Sequence, residues 1–320
     1  MPSDFWVLEV VMAEDDHRGM AIPGAMGNRY SPVRKGPGGQ VTVELAGDHP
    51  GVTDPEYRAR RDRLAALAAS WREGDPIPTP DYTQEEHGVW AEVSAALEEL
   101  HERHACRSYL EGKSALGLPT DRVPQLTEVG DLLEPISGFR YLPVAGLAPL
   151  RDFYASFADG VFWSTQYLRH PSVPLYTPEP DVIHEVIGHA NQLAAPGYAE
   201  LYRMVGDAVN RTQDEQALRF LSHVFWYTME FGVVREGGEL KAYGAGILSS
   251  VGETAFVGSG DEVEVRPVDF LAMGNAVYDI THFQPVLYAW SSHAEMEDRL
   301  SGFLENFDDS TPGSLLRRAG

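Results

Sequence analysis

The stretch PDVIHEVIGHANQ, residues 180–192, places two histidines five residues apart. On an ideal α-helix, His184 and His189 would point about 140° away from each other. They can hold one ligand together only if the helix ends near Gly188, or widens there into a turn with i→i+5 hydrogen bonds. Glycine permits either distortion, although close packing alone would equally explain its presence. The spacing therefore restricts how this segment can fold.

The zinc-protease helix is the obvious comparison for this segment. Its motif, H-E-x-x-H, puts two histidines four residues apart on one helical face, with the glutamate as general base. Here Glu185 follows the first histidine as in that motif, but one extra residue separates the two histidines. The spacing argues against the protease geometry, and the pair needs a third partner if it binds a metal ion.

Glu230 is the candidate for that third partner. It lies in HVFWYTMEFGVV, where nearly every neighbour is apolar, on a segment from Glu215 whose apolar residues recur at helical spacing. A buried ionised carboxylate must be paired or metal-bound, and the sequence is equally compatible with metal ligation and with a buried salt bridge. Two imidazoles and one carboxylate suit non-haem Fe(II), but zinc hydrolases use the same ligand types.

Helix-start signals recur along the chain. Asp54 can cap a helix that begins at Pro55 and continues at helical spacing to Gly74. Thr83, with Glu86 three residues later, forms a capping box at the start of a second amphipathic helix. We predict a mainly α fold of the α+β type, with short β-strands.

No linker divides the chain after Asp48, so one helix-rich domain is predicted to fill most of it, over residues 41–310. Residues 1–40 are predicted to be an N-terminal extension without an assigned role. It is expected to be partly loop, because residues 20–40 are rich in Gly and Pro. Residues 311–320 are expected to form a C-terminal tail.

Charge and composition exclude several partners. The formal net charge of −23 leaves no basic surplus for nucleic acid or an anionic membrane. No apolar run approaches membrane-spanning length, and the short apolar start, interrupted by Glu9, does not resemble a signal peptide. The single cysteine, Cys106, excludes a disulfide framework and a Cys-rich metal site, and it is expected to be a small buried residue. These features predict a cytoplasmic protein.

Several blocks of sequence carry a resemblance to a known family. They include TQYLRHPSVPLYTPEPDVIHEVIGHA, FWYTMEFGVV, KAYGAGILSSVGE and FQPVLYAWSS, in this order. The chain resembles the catalytic domain of the tetrahydropterin-dependent aromatic amino acid hydroxylases from about Val41 to about Phe307. The resemblance implies the helix-rich catalytic fold of that family.

The resemblance also implies an activity. At the positions of His184, His189 and Glu230 this family holds catalytic Fe(II), with tetrahydropterin as electron donor and O2 as co-substrate. The implied reaction is ring hydroxylation of a free aromatic amino acid. A zinc-dependent hydrolase is the alternative from a different class, because it would use the same ligand types.

Further residues match family positions around the implied iron. Arg169 matches the residue that clamps the substrate carboxylate by a bidentate contact. The other positions implied to bind the substrate are Thr177 at its backbone, Pro180 and Trp226 at its ring, and Gly246, Ser249 and Ile280, with Ser249 also orienting a ligand histidine. Phe153 matches the ring that stacks on the pterin. The other positions implied to bind the pterin are Leu147, Ala148, Trp163 and Glu185.

Departures from the family pattern bear on the cofactor. Trp163 stands where the animal enzymes usually have histidine, so the pocket is expected to have a different shape there. Ala148 and Leu150 differ from the animal phenylalanine enzymes on the pterin loop, and Phe225 replaces a tyrosine. These changes predict altered pterin binding.

The substrate prediction follows from two positions. Trp226 favours phenylalanine, because tryptophan hydroxylases typically have a smaller Phe there, and Ile280 stands where tyrosine hydroxylases typically have Asp. Phenylalanine is therefore the predicted substrate, with tryptophan as the alternative and tyrosine third. The expected product is tyrosine, or meta-tyrosine if Trp163 re-aims the ring.

The ends of the chain suggest a simple assembly. The chain starts too late for the regulatory domain of the animal enzymes. It stops soon after FLENF, which leaves no room for their tetramerisation helix. A monomer is expected.

Overall fold

A computed structural model describes residues 31–36, 39–259, 263–277 and 283–319. Most of the predicted N-terminal extension, and also Ile280 and His282, lie outside the described residues. Helices dominate the described residues, which confirms the predicted mainly α fold with short strands. The helices are α1 (Pro55–Ser70), α2 (Gln84–His104), α3 (Arg107–Leu116), α4 (Leu126–Ser137), α5 (Leu150–Ala155), α6 (Asn191–Leu193), α7 (Pro196–Arg211), α8 (Glu215–Phe225), α9 (Ala245–Leu248), α10 (Val251–Ser259), α11 (Phe270–Asn275), α12 (His293–Glu305) and α13 (Thr311–Ala319).

The starts of the first two helices follow their capping residues. The Asp54 carboxylate accepts the backbone N–H groups of Glu56 and Tyr57, which fixes the first turn of α1. At α2, Thr83 and Glu86 form the predicted capping box, with both reciprocal hydrogen bonds present. Local hydrogen bonding therefore decides where these helices begin.

The end of α1 differs from the prediction. The helix stops at Ser70, and Trp71 is extended, with φ −66° and ψ 146°, so the helix does not reach Gly74. The Trp71 indole N–H donates to Asp75 O, and its ring packs edge-on against Trp163, 6.2 Å between centroids. A tertiary contact therefore ends the helix before the glycine does.

Within the described ranges, the strands form three small sheets. The strands are β1 (Val33–Lys35), β2 (Val41–Val43), β3 (Arg140–Pro143), β4 (Val161–Ser164), β5 (Val233–Glu236), β6 (Glu239–Ala242), β7 (Glu264–Pro267) and β8 (Val286–Trp290). β1 and β2 are antiparallel, β3 and β4 are parallel, and the third sheet has the order β6-β5-β8-β7. In that sheet β5 and β6 form a hairpin whose turn residues, Gly237 and Gly238, have φ of 60° and 89°, values that favour glycine.

Two helical segments are wider than an α-helix, and they carry the histidines and the glutamate singled out above. The first wide turn is His184–Ala190 and the second wide turn is Trp226–Glu230, and both are π-helical. The first leads into α6, and the second continues directly from α8.

An aromatic core packs against the first wide turn. Phe157 stacks on Phe162 at 5.8 Å between centroids and 7° between planes, and Phe162 lies 4.8 Å from the ring of His189. Tyr202 and Phe225, perpendicular to each other, complete this cluster. All four aromatic side chains are fully buried, so the segment that carries the histidines rests on a closely packed base.

Residues 311–319 form the helix α13, which packs against α8 and α11. None of the helices among the described residues is both long and apolar enough to span a bilayer.

Candidate active site

The first wide turn brings the two histidines together. Hydrogen bonds in a π-helix run from i to i+5, so residues five apart lie nearly above one another. The Nε2 atoms of His184 and His189 are accordingly 3.1 Å apart. Gly188 also permits close packing, because a Cβ there would lie 2.7 Å from Ala245 O. Both predicted explanations for this glycine therefore apply.

Hydrogen bonds from other elements hold the first wide turn in place. The Tyr109 hydroxyl donates to Ile187 O at 2.7 Å, and the Asn191 amide donates to the same carbonyl at 3.0 Å. The Tyr141 hydroxyl donates to Glu185 O at 2.8 Å. Carbonyls that a regular helix would satisfy internally are thus bonded by side chains from α3, α6 and β3.

The second wide turn delivers Glu230 to the histidine pair. One carboxylate oxygen of Glu230 lies 3.2 Å from His189 Nε2, and the other lies 3.8 Å from His184 Nε2. The three side chains form a group whose potential ligand atoms all lie within 4.8 Å of one another. For metal–donor bonds of about 2.1 Å at right angles, neighbouring donors are about 3.0 Å apart. The donor set therefore fits one face of an octahedral metal ion.

A chain of hydrogen bonds fixes the tautomer of His189. The Gln192 amide donates to Met229 O and Tyr243 O, so its own carbonyl oxygen must accept, and it accepts from the Tyr202 hydroxyl. The Tyr202 oxygen therefore accepts from His189 Nδ1–H at 2.7 Å. In the neutral ring, His189 Nε2 is then the nitrogen available to a metal ion, and it faces Glu230.

His184 and Glu230 have the charge states that a metal site needs. Burial lowers the pKa of His184 to about 4, so its imidazole is neutral near pH 7. Its Nδ1 lies 2.9 Å from Ser249 Oγ, which leaves Nε2 for a metal ion. Burial acts to raise the pKa of Glu230, but the attraction of a positively charged imidazole, that of His189 first and of His184 next, outweighs burial and lowers that pKa. A cation held by the three groups would favour the ionised carboxylate in the same way.

The metal-binding candidates face a single large cavity of about 640 Å³, within the usual range for ligand pockets. Every site residue expected from the sequence and lying among the described residues lines this cavity. They are Leu147, Ala148, Phe153, Trp163, Arg169, Thr177, Pro180, His184, Glu185, His189, Trp226, Glu230, Gly246 and Ser249. Ile280 lies outside the described residues.

Arg169 is held in place by Asp181, which the sequence analysis did not single out. Arg169 Nε and Nη2 each donate to one Asp181 oxygen at 2.9 Å, and both side chains are almost fully buried. Asp181 also accepts the backbone N–H of His184 at 3.2 Å. Arg169 Nη1 makes one further contact, 3.4 Å long, to Pro174 O, so two of its five N–H groups remain for a ligand. Asp181 therefore links the guanidinium to the metal-binding segment.

An aromatic wall lies beside the metal-binding group. Trp226 packs against Phe231 at 4.5 Å between centroids. A Cβ on Gly246 would meet the Phe231 ring at 2.9 Å, so only glycine lets that ring lie where it does. Phe231 lines the cavity but was missed from the sequence, because an aromatic residue after a helix reads as ordinary core.

The far side of the cavity is apolar. Phe153 packs edge-on against Phe157 and Phe162, at 5.0 and 5.4 Å, and this fixes its ring at the cavity wall. Trp163, supported by Trp71, forms a neighbouring part of the wall. Leu150 lines the cavity, as expected for the pterin loop, whereas Phe225 is buried behind Tyr154 and does not line it.

Glu185 and His223 are two further polar residues of the cavity lining. Burial, together with the charges of Glu230 and Asp181, raises the pKa of Glu185 well above its usual value, which favours the protonated carboxyl. Glu185 is not among the three grouped ligands. His223, which the sequence analysis left as a structural or surface group, is buried and lines the cavity.

Ser249→Ala and Tyr202→Phe should each lower iron affinity by roughly 10- to 100-fold, because each removes the partner that orients a ligand imidazole. The measurement is an Fe(II) titration under anaerobic conditions. Ser250→Ala is the matched control, since Ser250 Oγ accepts the Glu253 backbone N–H and not a histidine. Unchanged iron affinity in both test variants would show that the two hydroxyls do not position the ligands.

Glu253 should make stability depend on pH. It is 7% exposed, and burial raises its pKa from 4.5 to about 7. Stability from the protonated form is therefore fully present below about pH 4.5 and is lost as the pH rises through about 7. Between pH 5 and pH 8, the free energy of unfolding of the unmodified chain should fall on the order of 2 kcal/mol further than that of Glu253→Gln, which has no carboxyl to ionise. Urea unfolding at both pH values measures this, and parallel pH profiles would contradict it.

Comparisons with known proteins bear on this site. Residues 39–311 match the sequence profile of the family described as biopterin-dependent aromatic amino acid hydroxylase. A phenylalanine 3-hydroxylase from Streptomyces coeruleorubidus is 43% identical over 272 residues, which cover 85% of this chain and 96% of that protein. A tyrosine 3-monooxygenase from Mus musculus is 43% identical over 260 residues, but the match spans only 52% of its length.

A solved structure shares the fold. The phenylalanine hydroxylase of Chromobacterium violaceum with bound iron(III) and 7,8-dihydrobiopterin superposes with a TM-score of 0.67 at 30% sequence identity. The match covers 72% of this chain and 84% of that one.

Proposed function

Since this chain belongs to the biopterin-dependent aromatic amino acid hydroxylases, we propose that it hydroxylates the aromatic ring of free L-phenylalanine with Fe(II), tetrahydropterin and O2. The family match confirms the resemblance seen in the sequence and the expected pterin cofactor. It also sets aside the zinc-dependent hydrolase. The observation that carries the proposal is the grouping of His184, His189 and Glu230 in the same cavity as Arg169.

The three grouped ligands support a facial iron site. His184, His189 and Glu230 would hold the ion, and two imidazoles with one carboxylate are the donor set that suits non-haem Fe(II). Iron so held, together with the reduced pterin, supplies the chemistry that activates O2 for transfer of one oxygen atom to the substrate ring. The residues of the chain supply binding, orientation and exclusion of water.

Substrate binding is assigned to the side of the cavity that holds Arg169. Its free N–H groups can donate to the carboxylate of an amino acid, while Asp181 keeps the guanidinium from moving. Thr177 lies on the same loop, where its hydroxyl donates to Glu179 O at 2.6 Å. We assign Thr177 to the substrate backbone and Pro180 and Trp226 to its ring. Fixing both ends of the substrate aims the ring at the metal site.

Pterin binding is assigned to the opposite side of the cavity. Phe153 offers a flat aromatic face whose orientation is fixed by its own packing, which suits stacking on a conjugated ring. Leu147 and Ala148 also line the cavity, and Glu185, whose pKa is raised by burial, would donate a hydrogen bond to a ring nitrogen or carbonyl in its protonated form. Apolar surroundings keep water from the reacting groups.

Phenylalanine is favoured over tryptophan by the size of Trp226, which narrows the ring pocket together with Phe231. The position hydroxylated depends on the pose of the ring. Trp163 and Trp71 together reshape the pterin side of the cavity, and the relative from Streptomyces is named a phenylalanine 3-hydroxylase. Meta-tyrosine therefore stands beside tyrosine as an expected product, and a hydroxytryptophan is the alternative.

A competition assay tests the proposal. Protein loaded with Fe(II) is given tetrahydropterin, O2 and equal amounts of phenylalanine, tryptophan and tyrosine, and products are identified by chromatography and mass spectrometry. Tyrosine or meta-tyrosine as the main product is expected, with none when the pterin is omitted. A hydroxytryptophan as the main product would overturn the substrate, and no product from iron-loaded protein would overturn the activity.

The same proposal covers assembly, location and domain bounds. We propose a single catalytic domain over residues 41–310 that works as a monomer. Among the described residues seven large apolar side chains are exposed. Four of the seven line the cavity: Leu147, Leu175, Tyr176 and Phe283. Little exposed apolar surface is therefore left for a protein partner. A cytoplasmic location is proposed because the single thiol, Cys106, is free. Sedimentation and cell fractionation test these points.

A further inference from the structure

A second group of potential metal ligands lies outside the cavity. Cys106 Sγ, a carboxylate oxygen of Glu236 and a ring nitrogen of His293 all lie within 4.8 Å of one another. Cys106 directly precedes α3, Glu236 ends β5, and His293 begins α12. None of the three lines the cavity or contacts the histidines of the proposed iron site. The group therefore calls for an explanation of its own.

We propose that Cys106, Glu236 and His293 bind a divalent cation of the zinc type. Thiolate, imidazole and carboxylate are the donors that zinc takes in proteins, and a mixed set with sulfur disfavours Mg²⁺ and Ca²⁺. Zinc bonds of about 2.0 to 2.3 Å place tetrahedral donors roughly 3.4 to 3.6 Å apart. Small side-chain shifts bring the three donors to these separations.

One such shift is needed between Glu236 and His293, whose donor atoms are too close together. His293 Nε2 lies 2.5 Å from Glu236 Oε1, closer than two ligands of one cation, so the pair must open by about 1 Å. Both side chains are 24% exposed, which gives them room and gives the cation a route from solvent. Cys106 is fully buried and forms the inner end of the site.

Neighbouring groups support the donors. The Arg107 backbone N–H donates to Glu236 at 3.0 Å, which orients the carboxylate. The Tyr198 hydroxyl lies 3.3 Å from Cys106 Sγ and 3.5 Å from His293 Nδ1. Tyr198 itself is stacked on Tyr243 and cannot swing away freely. The fourth coordination position is left for water or for this hydroxyl.

Charge balance favours a doubly charged cation. Cysteine binds a cation as the thiolate, so the thiol must give up its proton on binding. Cation binding replaces that proton, and the thiolate and carboxylate then neutralise the two positive charges of the cation. A neutral group is much easier to bury than a net charge. Affinity should consequently rise with pH as proton release becomes easier.

A cobalt titration tests the site, because this chain has one cysteine. Any sulfur-to-cobalt charge-transfer band must then come from Cys106, and the iron-binding group contains no sulfur. We expect such a band to saturate at one Co²⁺ per chain in the full-length Glu230→Gln protein, whose proposed iron site is disabled. The band should be absent in Cys106→Ser.

Two variants at the partly exposed ligands test the site without disturbing the buried core. These surface variants are His293→Asn and Glu236→Gln, and circular dichroism checks that both proteins fold. Each should weaken Co²⁺ binding by at least about tenfold. With the iron-loaded enzyme, Zn²⁺ should raise the unfolding temperature, and His293→Asn should remove that rise. The proposal would be overturned if no charge-transfer band formed, or if the Co²⁺ affinity measured from the band were the same in both variants as in the parent protein.

Discussion

Glu230→Gln is expected to lower iron affinity by more than about 100-fold and to abolish ring hydroxylation. The pKa of Glu230 is lowered beside the two imidazoles, so its carboxylate is ionised and supplies the only negative charge within the proposed donor set. Glutamine keeps the shape and removes that charge. Removing a group that only orients a ligand lowers metal affinity by up to about 100-fold. Removing a ligand itself should lower the affinity by more. Anaerobic Fe(II) titration and product analysis measure the two effects.

Glu185→Gln is the matched control. Glu185 is a neighbouring buried glutamate, next to His184, but its carboxyl lies outside the grouped ligands. This variant should retain one iron per chain. If Glu230→Gln bound iron as tightly as the unmodified chain, the proposed ligand set would be wrong.

Arg61→Gln should destabilise the protein by about 3 kcal/mol, because it removes the arginine paired with a buried carboxylate, which then keeps only His49, at 3.7 Å, and the hydrogen bonds from Ser31. Arg61 Nη1 lies 2.8 Å from Glu179 Oε1, and both side chains are 4% exposed. The guanidinium also lies over the Tyr167 ring at 3.3 Å from its centroid. Glu179 in turn accepts the backbone N–H of Ser31 at 2.9 Å. Removing the arginine therefore disturbs several contacts at once.

Urea unfolding measures this loss, and Arg103→Gln is the control. Arg103 pairs with Glu99 where both side chains are more than 60% exposed, so its loss should cost less than about 1 kcal/mol. Because Glu179 lies between Thr177 and Pro180, Arg61→Gln should also raise KM for the amino acid. Equal stability losses in the two variants would show that burial does not set the strength of the inner pair.

Sequence reasoning succeeded where local chemistry decides the structure. Asp54 and the pair Thr83 and Glu86 fix helix starts by hydrogen bonds within one turn, so these starts could be predicted. The first wide turn was one of two predicted possibilities, because two histidines five apart can meet only where the helix ends or widens, and the structure has the widened form. In each of these cases the residues that decide the structure lie within a few positions of one another.

Features set by distant contacts could not be predicted. The end of α1 depends on the packing of Trp71 against Trp163, some ninety positions away in the chain. The second wide turn carries a single ligand, Glu230, so no spacing reveals it. Tyr202 and Asp181, which hold a ligand imidazole and the Arg169 guanidinium, look like a core residue and a loop residue in the sequence.

The hydroxyl groups that support the first wide turn also set an order of assembly. Tyr109 and Tyr141 reach the carbonyls of this turn from α3 and β3, across separations of 78 and 44 residues. A chain that has formed its helices but not docked them lacks these bonds, and its two histidines have no reason to converge. Iron should therefore bind only after the helices have docked. Iron then stabilises molecules that have already folded and does not direct the folding of the chain.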